Sequence, residues 1–133
     1  MKSLINVSSL IVIFLLTSCG TTTKFPVSNV APAAEITATK KQDKNKNYVI
    51  EVVAKNLASA ERIDSSKRNY NVWLVTENNG TKNAGQLSNK NAKTAKLEII
   101  TPYTVKEVFI TAEDQGDYSY PTGIEISRIS FKK

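Results

Sequence analysis

The chain predicts an all-β domain, an antiparallel immunoglobulin-like sandwich of about seven strands. Three observations carry that reading. From Glu35 onward apolar residues recur with a period of two rather than 3.6. Turn-forming residues punctuate the pattern at roughly ten-residue intervals. Only one short stretch, 57–68, has a helical composition. A closed barrel is the alternative this pattern leaves open, and the lack of an internal repeat argues against solenoids and propellers.

The first 18 residues read as an address rather than as structure. Met1, Lys2 and Ser3 form a short positive head, and an apolar run follows with Ile11, Val12, Ile13, Phe14, Leu15 and Leu16 in one block. The run is too short to span a bilayer, which takes about 20 apolar residues, so it reads as a secretory signal. It ends in Leu16-Thr17-Ser18-Cys19-Gly20, which resembles the lipobox of bacterial lipoproteins: Leu three residues before Cys, with small residues around it. The resemblance implies cleavage before Cys19, a thioether-linked diacylglycerol on its sulfur, and a partner in the membrane through those acyl chains. Two or three chains at about 0.8 kcal/mol per buried CH₂ make a stable anchor where one is marginal. Residues 19–34 then follow as a Thr/Pro/Ala segment without a period. That composition predicts a flexible tether, with the folded domain over 35–133.

Within that domain, 35–39 is a first short strand closed by a polar turn over 40–47 that holds Lys40, Lys41, Lys44 and Lys46. In 48–55, Tyr48, Ile50, Val52 and Ala54 share one face and Val49, Glu51, Val53 and Lys55 the other. The 57–68 stretch predicts a loop with at most one helical turn. Residues 70–76 are apolar on both faces, as in a strand covered on both sides, and carry the only tryptophan, Trp73, which places them at the centre of the fold. Asn79-Gly80 suits a type I′ hairpin turn, returning through 83–88. In 96–101, Leu97 and Ile99 oppose Glu98 and Ile100; in 106–113, Val108, Ile110 and Ala112 oppose Glu107, Phe109 and Thr111. The last strand changes phase, with Ile124 and Ile126 on one face and Ile129 and Phe131 on the other. A one-residue bulge near Ser127-Arg128 keeps all four inside.

Tyr70-Asn71-Val72-Trp73-Leu74-Val75, then Asn79-Gly80 and Asn83-Ala84-Gly85-Gln86-Leu87, resemble the extracytoplasmic domain of anti-sigma-K-type factors. Thr101-Pro102, Val108-Phe109-Ile110-Thr111-Ala112-Glu113 and Pro121-Thr122-Gly123 continue the likeness. The resemblance implies a β-sandwich. It does not carry sigma inhibition over, because that activity needs a sigma-binding segment and a spanning helix beside this domain. What it implies beyond the fold is a regulatory sensor subunit as an alternative role.

Composition narrows the chemistry. The 133 residues hold 18 Lys+Arg against 12 Asp+Glu, a net charge of +6, with no histidine and one cysteine. Without histidine, Ser-His-Asp and Cys-His mechanisms and most transition-metal sites are excluded. One cysteine excludes an internal disulfide. The modest, scattered excess of lysine is no nucleic-acid footprint, and no cofactor is expected.

The densest polar segment is Glu113-Asp114-Gln115-Gly116-Asp117-Tyr118-Ser119-Tyr120. Its carboxylates are the right donor type for Ca²⁺, yet the spacing fits no calcium loop, and the plain reading is a solvated loop with no metal. Paired carboxylates in a glycosidase need a cleft that a small sandwich lacks, so an envelope hydrolase is the least favoured reading. Tyr118 and Tyr120 lie at a loop tip, where rings stack on sugars or anchor a protein, or else cover the open end of the core. The sequence therefore predicts a non-enzymatic, lipid-anchored module of the bacterial envelope. Its expected contacts with a protein or glycan are Tyr118, Tyr120, Asp114, Asp117 and, in the hairpin, Asn79.

Overall fold

The structure is a computed structural model describing residues 20–78, 80–91 and 93–131. Its strands are β1 (Thr21–Lys24), β2 (Glu35–Gln42), β3 (Tyr48–Lys55), β4 (Asn69–Thr76), β5 (Gly80–Gln86), β6 (Ser88–Asn91), β7 (Thr94–Thr101), β8 (Val105–Glu113) and β9 (Ile124–Ser130). One helical turn, α1 (Ala60–Ile63), joins β3 to β4. A five-stranded sheet runs β1-β2-β3-β7-β6 and a four-stranded sheet β5-β4-β8-β9, antiparallel throughout. Leaving β1 aside, these orders are the A-B-E-D and C′-C-F-G sheets of an immunoglobulin-like sandwich. The predicted fold class holds, with two more strands than the pattern suggested.

The core follows from the alternation. Ile36, Ala38, Ile50, Val52 and Ala54 from one sheet meet Val72, Leu74, Val108, Ile110 and Ala112 from the other, all buried. Leu97 and Ile99 face inward and Ile100 stays exposed, as the phase of β7 predicts. In β9 the ladder pairs Ile110 with Ser127 but Thr111 with Glu125, so Ile126 is the extra residue. The bulge sits one residue before the predicted place and buries Ile126, Ile129 and Phe131 on the same side. At the β4–β5 hairpin, Thr76 pairs with Gly80, leaving three residues between them rather than the two of a type I′ turn. Gly80 takes a left-handed φ of 71°, and Asn79 lies outside the described residues.

The expected tether is corrected. Thr21–Lys24 pairs residue by residue with Lys40–Thr37 of β2, and Phe25 N–H donates to Ile36 O at 2.8 Å. Phe25, Ala31 and Ala34 are buried in the core. Ser28 Oγ accepts from the Val30 and Ala31 amides at 3.2 and 3.1 Å, which folds the Pro-containing stretch back on itself. Ser127 Oγ donates to Pro26 O at 2.9 Å, tying the segment to β9 in the other sheet. Residues 21–34 thus close the side of the sandwich where the edges β2 and β9 would lie open. Composition suggested a free segment because one aromatic and a few alanines look too little to offset ordering. Pairing to a ready edge supplies the backbone hydrogen bonds that make up the difference.

Phe25→Ala should destabilise the domain by about 3–5 kcal/mol in chemical denaturation, the usual cost of emptying a buried aromatic site. A free tether would show no change.

Candidate functional site

The loop joining β8 to β9, which carries most of the predicted contacts, does not stand free at the end of the sandwich. It folds over the outer face of the second sheet. Alternation sends Val72, Leu74, Val108 and Ile110 into the core, so Trp73 and Phe109 point the other way. Ladder register lines up Asn83, Trp73, Phe109 and Arg128 across β5, β4, β8 and β9, with Asn71, Thr111 and Glu125 in the next row. Trp73 and Phe109 are stacked with centroids 6.2 Å apart. Arg128 lies 4.0 Å from the Phe109 centroid and donates to Glu125 Oε1 at 2.6 and 3.0 Å. Trp73 is central, as expected, and fully buried, but it belongs to this second layer and not to the core between the sheets.

Burying a polar row demands partners. Trp73 Nε1 donates to Thr111 Oγ1 at 2.7 Å, and Thr111 Oγ1 donates to Glu113 Oε2 at 2.5 Å. The Glu113 carboxyl, wholly out of water, also receives the Thr122 hydroxyl at 2.7 Å and the Thr122 amide at 3.2 and 3.3 Å. Asn71 Nδ2 donates to Gln115 O at 3.1 Å, and Asn83 Nδ2 to Gly116 O and Tyr118 O at 2.9 and 2.8 Å. Side chains of the sheet therefore hold both ends and the middle of the loop. Close approach also requires glycine at 123, where an added β-carbon would fall 1.8 Å from Ala112 O.

Within this frame Asp114 and Asp117 are exposed, Tyr118 is half-buried and Tyr120 is the most exposed ring at 66%. Tyr118 Oη donates to Asp114 Oδ1 at 2.9 Å, and that bond, with burial and the neighbouring carboxylates, raises the phenol above its ordinary pKa. Glu113 turns under the loop while Asp114 and Asp117 face solvent, so the three carboxyl groups do not converge. No cluster of three metal-ligating side chains occurs among the described residues. Asn79 lies outside the described residues; at the opposite end Thr76, Glu77 and Asn78 lie against Pro102, Tyr103 and Thr104. Cys19 lies outside the described residues.

Sequence reading missed Asn71, Asn83, Thr111 and Thr122. For Asn71 and Thr111 the available signal was a polar residue inside a largely apolar strand, whereas Asn83, in a polar strand, and Thr122, in the loop, carried none. On the loop's flank, Tyr70 Oη donates to Ala58 O at 2.6 Å, pinning the β3–β4 connection, and burial pushes this phenol up to about 12.

No protein-family model, no curated protein and no solved structure matches this chain. What is shown is a generic immunoglobulin-like sandwich, and none of these comparisons ties it to anti-sigma-K-type factors or to lipoproteins.

Two predictions arise from this geometry. Gly123→Ala should lift the loop off Ala112, seen as faster amide exchange across 114–123, with a stability loss of about 1–3 kcal/mol. Tyr70 has its folded pKa raised, so its contribution to stability is complete below pH 10 and is lost as pH climbs through about 12. Tyr70→Phe should flatten the alkaline limb of the stability profile between those values.

Proposed function

We propose that this chain is a lipid-anchored module of the bacterial envelope that binds a protein or glycan through the β8–β9 loop and performs no chemistry of its own. What the structure establishes is coarser: a small β-sandwich in which no catalytic constellation is apparent among the described residues. The observation that carries the proposal is the rigid mounting of an exposed contact surface. Tyr120 stands out on a loop whose backbone is held by Asn71, Asn83 and Glu113. A ring presented on an ordered loop binds without the cost of ordering it, which is how small contact surfaces reach useful affinity. The anchor half of the proposal rests on the leader and on Leu16-Thr17-Ser18-Cys19-Gly20. Among the described residues no helix is long and apolar enough to cross a membrane.

The experiment has two arms in cells expressing the full chain. Radiolabelled palmitate should enter the wild type and not Cys19→Ser; incorporation that persists in the mutant refutes the anchor. A photo-crosslinking residue at position 120 should give discrete adducts that the same residue at the exposed control position Lys96 does not. Identical adduct patterns at both positions would refute the contact surface.

A further inference from the structure

The amino-terminal strand leaves no slack between the anchor and the domain. Residue 19 is one peptide from Gly20, its Cα about 3.8 Å away. Gly20 lies against β2, where an added β-carbon would sit 3.2 Å from the Thr39 methyl and 3.4 Å from Lys41 Cβ. Pairing of Thr21 with Lys40 places this point beside the turn after β2. The turns after β4 and β7 lie at the same end, because Tyr48 pairs with Thr101, and Glu77 N–H donates to Thr104 O at 3.3 Å. The β8–β9 loop leaves the sheet at the other end, where α1 also lies, and folds back over the outer face as far as Asn83.

The near end is basic. Lys40, Lys41, Lys44, Lys46, Lys82 and Lys106 belong to it. Its carboxylates are Asp43, Glu77 and Glu107. Asp43 accepts from the Asn45 and Asn47 amides inside its own turn, and Glu107 lies 3.6 Å from Arg128, which leaves Glu77 open at the turns, with Glu51 and Glu98 one row further in on the face that carries Lys41 and Ile100. Exposed rings and chains accompany the lysines. Tyr103 is 40% exposed with Lys82 Nζ 4.9 Å from its centroid, and Ile100 is 63% exposed in the row Lys41–Val49–Ile100. A cavity of about 340 Å³ opens here, lined by Lys40, Lys106, Thr104, Ser130 and Phe131 together with Glu77 and Glu107.

We infer that this end is a docking face for an anionic phospholipid bilayer, into which Cys19 is anchored at its rim. The inference rests on acylation of Cys19 as proposed above. Positive charge beside an anchor adds attraction to acidic headgroups, and an amphipathic Tyr suits the headgroup level. The exposed Lys41, Lys44, Lys46 and Lys106 ammonium groups are the donor set for a headgroup phosphate, whereas Ser130 Oγ donates to Glu107 Oε1 and Lys40 Nζ to Val105 O, each at 3.3 Å. Held this way, the domain stands end-on, with the β8–β9 loop turned away from the bilayer.

The test uses the full acylated chain purified from membranes and reconstituted into neutral vesicles and into vesicles rich in phosphatidylglycerol. With Cys19 acylated, Thr104→Cys or Asp117→Cys supplies one reactive thiol for a spin label, and N-terminal peptide mass reports acylation in each sample. In anionic vesicles the label at 104 should lose contact with a water-phase relaxation agent while the label at 117 keeps it. Lys41→Gln and Lys44→Gln should each lower the docked-to-undocked ratio about fivefold. An acylated protein whose label at 104 stays as water-accessible as the one at 117 overturns the docking face and leaves the anchor standing. A chain without acyl mass overturns both.

Discussion

The hydrogen-bonded pairing of Thr21–Lys24 with β2 is the constraint on which the rest of the molecule depends. Without it β2 would present a bare row of amides and carbonyls at the edge of the first sheet, a surface that invites pairing with other chains. With it, Phe25 is carried to the mouth of the core and Pro26 within reach of Ser127 on β9, so one side of the sandwich is closed by the segment that leads to the amino terminus. The same pairing fixes direction. Once Thr21 lies beside Lys40, the start of the folded chain belongs to the end that carries the lysine-rich turns, and the β8–β9 loop belongs to the other.

That loop owes its order to a second constraint. The outer face of an antiparallel sheet is usually wet, and its residues are polar for that reason. Here Trp73 and Phe109 occupy it, and covering them also covers Asn71, Thr111 and Glu113. A carboxyl group taken out of water needs donors, and Thr122 on the returning limb supplies hydroxyl and amide together. The loop is shaped by the polar groups beneath it, and its exposed groups, Tyr120 above all, are displayed by a frame that is already rigid.

The inter-sheet core was legible because alternation is a strong signal. Val108, Ile110 and Ala112 could have only one common face, and the phase change in the last strand announced a bulge that the structure places at Ile126. Thr21–Lys24 and Ser88–Asn91 were not legible. The side chains of Thr21–Lys24 bury little, and both segments are strands because a neighbour offers an edge, which is tertiary context that no local pattern records. The loop at 113–120 is polar and aromatic in sequence, but that composition fits a solvated tip as well as a strap over a sheet. What decides is the line of Asn83, Trp73, Phe109 and Arg128 across four strands, and that line exists only once register is known.

With Cys19 acylated as proposed, a strand that begins two residues later would leave the domain no leash on which to swing. Amide hydrogen exchange on the full chain tests that claim most directly, read across Thr21–Lys24 and at Phe25, whose N–H donates to Ile36 O. The account predicts protection comparable to that of β2. Exchange at the rate of an unstructured peptide in this segment, with β2 protected, would contradict it.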